Sequence, residues 1–109
     1  MGKLDDKIAI VTGGGSGIGQ SIALGLAREG CDVALCGRRL EPLQETVRQI
    51  EAQGRRALAL SVDVSRGEAV QGFVDEVVKV FGRVDILVNN AGVTRDNLLI
   101  RMTEEQWDE

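Results

Sequence analysis

Five glycines fall within Thr12-Gly13-Gly14-Gly15-Ser16-Gly17-Ile18-Gly19, and the flanks decide what such a run can be. The apolar run Ile8-Ala9-Ile10-Val11 leads into it. A helical pattern of Ile18, Ile22, Ala23 and Leu26 leads out. Strand, glycine turn and helix, in that order, give a glycine-rich segment its meaning as a phosphate-binding turn. Glycine removes Cβ atoms where the backbone must turn tightly and a ligand must come close. The unpaired N–H groups of the helix start then face the gap, with the positive end of the helix dipole behind them. The spacing does not fit G-x-G-x-x-G, because Ile18 or Gln20 stands where the last glycine belongs. It fits T-G-x-x-x-G-x-G through Thr12, Gly13, Gly17 and Gly19. The alternative is a flexible loop that only joins a strand to a helix.

The remaining pattern alternates in the same way. Strands are expected at Ile8–Val11, Val33–Cys36, Ala57–Val62 and Val84–Val88. Helices are expected from about Gly17 to Glu29, from the turn containing Pro42 to Gly54, and along Val70, Phe73, Val74, Val77 and Phe81. Gly30 and Gly82 read as helix stops. Ser65 and Glu68 read as a capping box, and Thr103 with Gln106 as the start of a fourth helix. Strands alternating with helices imply an α/β fold, a doubly wound parallel sheet of strand order 3-2-1-4. Ligands bind such sheets beyond the carboxyl ends of the strands, where the order reverses. Here that crevice collects the glycine turn and Asn89-Asn90-Ala91-Gly92. The fourth strand, Val84-Asp85-Ile86-Leu87-Val88, is expected to be an open, nearly uncharged edge.

Composition narrows the function classes. Of 109 residues, 43% are hydrophobic and 28% charged, which suits one soluble domain. A net charge of −4 without a Lys/Arg cluster argues against a nucleic-acid surface. No apolar run is long enough to span a bilayer. Residues 1–6 carry no cleavable-signal pattern, so a cytoplasmic chain is expected. With no histidine and only Cys31 and Cys36, no metal site is expected, and both cysteines are expected as thiols. The absence of tyrosine and histidine removes the commonest acid–base side chains, so no catalytic residue is assigned.

Three further positions carry chemistry. In dinucleotide folds a residue about 20 positions beyond the glycines contacts the adenosine ribose. Gly37 stands there in place of an acid, and Arg38 follows. A guanidinium pairs with a phosphate through a two-pronged contact, which favours NADP(H), with NAD(H) the second choice. The alternative makes Arg38 and Arg39 a solvated surface pair. Asp63-Val64 could receive the amino group and cover the ring of adenine, or Asp63 could simply start a helix. The amides of Asn89 and Asn90 could tie strands together and reach a ribose, or form an Asx turn.

Taken in order, Thr12-Gly13-x-x-x-Gly17-Ile18-Gly19, Asp63-Val64 and Asn89-Asn90-Ala91-Gly92 resemble the short-chain dehydrogenase/reductase family over the whole chain. The segment from Gly92 to Met102 is similar to that of 3-oxoacyl-[acyl-carrier-protein] reductases. The resemblance implies a Rossmann-like domain, usually tetrameric, that reduces a 3-oxoacyl thioester with NADPH in fatty-acid synthesis. It assigns Gly13, Gly14, Gly15, Ser16, Gly17, Ile18 and Gly19 to the pyrophosphate and Arg38 to the 2′-phosphate. Asp63 and Val64 go to adenine, and Asn90, Ala91 and Gly92 to the ribose. Many NADPH-preferring members have a basic residue in the glycine turn, where this chain has Gly14, Gly15 and Ser16. The family's catalytic Asn, Ser, Tyr and Lys lie beyond Glu109, so residues 1–109 read as the amino-terminal part of one such domain, truncated after the fourth strand and inactive alone. Its substrate partners would be acyl-carrier-protein or CoA thioesters. The alternatives are a cofactor-binding half-domain or fragment without catalysis, and another family member such as an acetoacetyl-CoA reductase.

Overall fold

Alternate residues of a strand point to opposite faces, so a strand apolar at every position must be covered on both. The sequence from Ile8 to Val11 is of that kind, and it forms the centre of the sheet. The computed structural model describes residues 4–13, 15, 17–63 and 65–90, and the backbone of 99–101. The readings at Gly14, Ser16, Val64, Ala91 and Gly92, and the helix expected from Thr103, lie outside the described residues.

The element order is β1 (Ile8–Thr12), α1 (Gly17–Arg28), β2 (Asp32–Gly37), α2 (Leu40–Ala52), β3 (Ala57–Ser61), α3 (Gly67–Phe81), β4 (Ile86–Asn89) and β5 (Leu99–Arg101). The sheet order is β3-β2-β1-β4-β5. β1 pairs in parallel with β2 and β4, and β2 in parallel with β3. The expected 3-2-1-4 arrangement is therefore present. One layer packs Ala9, Val11, Val33 and Leu35 with Ala23 and Ala27 of α1 and Leu43 and Ile50 of α2. The other packs Ile8, Ile10, Ala34 and Cys36 with Phe73, Val74 and Val77 of α3. The two-residue period of the strands thus divides the core between the two helical layers.

Three expectations need correction. The edge of β4 is covered: β5 runs antiparallel to it, pairing Ile86 with Arg101, Leu87 with Ile100 and Val88 with Leu99. A parallel neighbour needs a crossover of a dozen or more residues, whereas the shorter connection 90–98 suits a reversal of direction. The capping box is not formed. The N-cap of α3 is Arg66 without a side-chain cap, because Ser65 turns back to Asp63. Ile18 is not part of the buried stripe of α1: it is 68% exposed, while Ala23 is fully buried. The stop at Gly82 is as read. Its φ of 92° is left-handed, and its N–H reaches the Val78 carbonyl.

A cluster of opposite charges pins the amino ends of the strands. Asp32, nearly buried, faces both Arg55 and Arg56. Asp85 accepts from the Ile8 N–H at 2.9 Å and from Arg83 Nε at 2.8 Å. Among the described residues no helix is long and apolar enough to cross a membrane.

Candidate functional site: a glycine-walled crevice at the strand ends

The carboxyl end of β1 is tied to both its neighbours. Gly13 takes φ = 70°, a left-handed value that suits glycine, and its N–H reaches the Cys36 carbonyl at 2.7 Å. On the other side, Thr12 Oγ1 donates to Asn89 Oδ1 at 3.0 Å, and Asn90 Nδ2 donates to the Gly13 carbonyl at 3.3 Å. The two amides therefore lace β4 to β1, one of the two roles open to them from the sequence.

The glycines divide by what a side chain would meet. A Cβ at Gly19 would lie 2.0 Å from the Gly13 oxygen and 2.8 Å from Asn90 Nδ2. One at Gly15 would lie 2.8 Å from Pro42 Cβ. One at Gly17 would meet nothing within 4 Å, and Gly17 does not take a positive φ. Gly19 and Gly15 thus permit close packing, whereas Gly17 keeps open space at the first residue of α1. No acidic residue occupies the first turn of α1. The positive end of a helix dipole favours an anion at such a place.

The crevice runs from this turn to the end of β2. It has a volume of about 250 Å³ and is lined by Gly13, Gly15, Gly37, Arg38, Arg39, Pro42 and Leu43. Gly13, Gly15 and Gly37 leave parts of the lining as bare backbone, and Arg38 and Arg39 are its two cationic residues. A Cβ at Gly37 would make ordinary contact with a Leu43 methyl at 3.5 Å. The Arg38 carbonyl accepts from Ser61 Oγ at 2.9 Å, and Gly37 O accepts from Val62 N at 2.8 Å. The side chain of Arg38 is 74% exposed, with Nη2 3.8 Å from Asp63 Oδ1.

Asp63 follows β3 and stands beside Arg38. Its Oδ1 accepts from Ser65 N at 3.0 Å and Ser65 Oγ at 2.6 Å. The Ser65 hydroxyl and then the Ser65 N–H hold the carboxyl below its usual range, with Arg38 adding to them. Ile18 projects outward from the start of α1. Cys31 and Cys36 are free, fully buried thiols. Burial pushes Cys31 up to about 11 and Cys36 up to about 12, so neither supplies a thiolate near neutrality.

Of the assigned site residues that are described, Gly13, Gly15 and Arg38 line the crevice, and Asp63 and Asn90 flank it through Arg38 and Gly13. Gly17, Ile18 and Gly19 open α1. Sequence reasoning did not assign Arg39, Pro42, Leu43 or Ser61 to the site. Pro42 was legible as a helix-start residue, but not as the partner of Gly15.

A family model described as short chain dehydrogenase matches residues 7–109. The 3-oxoacyl-[acyl-carrier-protein] reductase FabG of Staphylococcus epidermidis is 47% identical over 106 residues, covering 95% of this chain and 43% of that protein. The 2-dehydro-3-deoxy-D-gluconate 5-dehydrogenase of Escherichia coli is 42% identical over 106 residues, covering 97% of this chain and 41% of its own. Among solved structures, a short chain dehydrogenase from Burkholderia cenocepacia in complex with NADP aligns with a TM-score of 0.80 at 49% identity, over 85% of this chain and 38% of that one. Carveol dehydrogenase from Mycobacterium avium in complex with NAD aligns with a TM-score of 0.81 at 34% identity, over 88% and 39%. The chain spans about two-fifths of the length of the curated relatives it matches.

Proposed function

Because the chain belongs to the short-chain dehydrogenase family, we propose that it is the cofactor-binding part of an NADP(H)-dependent oxidoreductase that reduces a 3-oxoacyl thioester to the 3-hydroxyacyl thioester. The observation that carries the cofactor reading is a single crevice lined both by the glycines of the turn and by Arg38 and Arg39. The substrate reading rests on similarity to reductases of that name.

The residues present fit a dinucleotide. The open space at Gly17 and the start of α1, with no acidic residue in its first turn, suit the pyrophosphate, with Gly13 to Gly19 as its cradle. Arg38 would hold the 2′-phosphate. Asp63 and Val64 would meet the adenine, and Asn90, Ala91 and Gly92 the ribose. When bound, NADPH supplies a hydride to the substrate carbonyl. The residues of this chain bind and orient it, and the Asn90–Gly13 contact fixes the turn that receives it. Reduction of a ketone leaves charge on its oxygen, which an acid must neutralise as it forms. With neither tyrosine nor histidine, these 109 residues alone are proposed to bind cofactor without turnover, the acid being supplied by the rest of a longer protein. That protein is proposed to be a cytoplasmic homo-oligomer acting on acyl-carrier-protein or CoA thioesters.

A second reading is NAD(H), favoured by the weak anchoring of Arg38, whose side chain is largely exposed. One pair of substitutions separates the two. Gly37→Asp fits sterically, since its Cβ makes ordinary contact with Leu43. Combined with Arg38→Ala, it is expected to weaken NADPH binding roughly tenfold to thirtyfold, about 1.4–2 kcal/mol, without weakening NADH. Titration of both cofactors against both forms is the check. An unchanged NADPH/NADH ratio sinks the Arg38 assignment.

A further inference from the structure

The ends of β2 and β3 deliver a cation and a carboxylate to the same lip of the crevice, and the two are held differently. Asp63 is fixed at its head group. Its Oδ1 takes the Ser65 N–H at 3.0 Å and the Ser65 hydroxyl at 2.6 Å. Arg38 is fixed only at its base, where its carbonyl accepts from Ser61 Oγ. Its side chain is 74% exposed, and its Nη2 lies 3.8 Å from that same Oδ1. A long, solvated side chain faces an immobilised negative charge.

We infer that Asp63 is a specificity-determining residue that competes with a 2′-phosphate for the guanidinium of Arg38. The inference rests on the reading of Arg38 as the 2′-phosphate ligand. A guanidinium presents a limited fork of donors, and a phosphate monoester must draw that fork away from the carboxylate or share it. A ligand with a plain 2′-hydroxyl makes no such demand. The competition therefore lowers affinity for the phosphorylated ligand alone. Any contact of Asp63 with adenine is common to both ligands and cancels in their ratio. At 3.8 Å between exposed groups the pair is weak, so the effect is a few-fold trimming of preference rather than its origin.

The test is calorimetric titration of the 109-residue chain with adenosine 2′,5′-bisphosphate and with AMP at pH 7.5. Asp63→Asn keeps an oxygen for Ser65 and removes the charge. It is expected to raise the bisphosphate/AMP affinity ratio roughly twofold to fivefold at low salt, and less at ~0.5 M salt. Asp63→Glu, which restores the charge, is expected to bring the ratio back towards that of the parent. In an Arg38→Ala background the Asp63→Asn effect is expected to vanish. A ratio unmoved by Asp63→Asn overturns the inference, as does a shift of equal size in the Arg38→Ala background. If Arg38→Ala alone lowers the ratio while Asp63→Asn does not move it, the inference fails and the Arg38 reading stands. If Arg38→Ala leaves the ratio unchanged, or the parent binds neither ligand, the Arg38 reading fails and this inference with it.

Discussion

Gly19→Ala is expected to lower the unfolding free energy by about 3 kcal/mol or more and to abolish ligand binding in the crevice. The added methyl would stand 2.0 Å from the Gly13 oxygen and 2.8 Å from Asn90 Nδ2. The Asn90 amide ends a side chain, but the Gly13 oxygen is backbone and cannot step aside. Gly13 is held at φ = 70° with its N–H on Cys36, so relief requires α1 to lift off β1. That movement would break the Asn90–Gly13 contact and displace the turn. Gly17→Ala is the control, because its methyl meets nothing within 4 Å. It should leave stability within about 0.5–1 kcal/mol of the parent, since alanine is a better helix former than glycine. Urea denaturation of the three forms decides the matter. A Gly19→Ala protein as stable as the parent would show that α1 has room over the turn.

Asp32→Ala should destabilise the fold by about 1.5–3 kcal/mol, because it takes a charged, nearly buried acceptor from the Arg56 N–H and from two arginines. Arg56 gives this carboxylate its backbone N–H at 2.9 Å and two guanidinium contacts at 2.9 and 2.7 Å. Arg56 also lies 4.8 Å above the Phe81 ring, so the loss would propagate to the end of α3. Burial alone would push the Asp32 carboxyl up. The Arg56 N–H, the Arg56 guanidinium and then Arg55 outweigh it, so its pKa falls below the ordinary 3.8. A folded-state value below the unfolded one means that this stability is complete above about pH 4–5 and is lost as pH falls through the folded-state value. The parent should therefore lose more stability than Asp32→Ala between neutral pH and pH 3. Parallel acid-denaturation profiles for the two proteins would contradict the assignment.

The contrast between these two sites shows what was legible. The glycine turn, the strand order and the stop at Gly82 follow from residues close together in sequence, where φ > 0 or a missing Cβ has a local signature. The division of β1 between two helical layers was readable too, because an all-apolar strand has no other solution. The Asp32 cluster was not readable. Its members come together only through the pairing of β2 with β3, and a lone Asp at a strand start resembles any turn residue. Ser65 misled for a related reason. Its spacing to Glu68 fits a capping box, but Asp63, only two residues away, claims its N–H and hydroxyl first. Ile18 fits the helical period of α1, yet at the helix start there is no sheet beneath it, and it points outward. The antiparallel β5 left no trace in the alternation of strands and helices. Three residues against an existing edge need no period of their own.

The lacing of β1 to β4 also bears on the order in which the molecule assembles. Joining them closes the 77 residues from Ile8 to Asp85, whereas joining β1 to β2 closes only the stretch from Ile8 to Asp32. Loop-closure entropy sets the two apart by about 1 kcal/mol in favour of the shorter. The β3-β2-β1 half is thus the natural nucleus, and the junction with β4 is completed on the downhill side of the barrier. Val33→Ala should then slow folding, while Val88→Ala should chiefly hasten unfolding. The opposite pattern in a chevron analysis would put that junction in the transition state. The crevice is lined by residues that follow β1 and β2, so its walls belong to the half that closes first, and the junction with β4 adds the Asn90 contact to Gly13. A chain arrested before β4 would possess the crevice without the amide that steadies its turn.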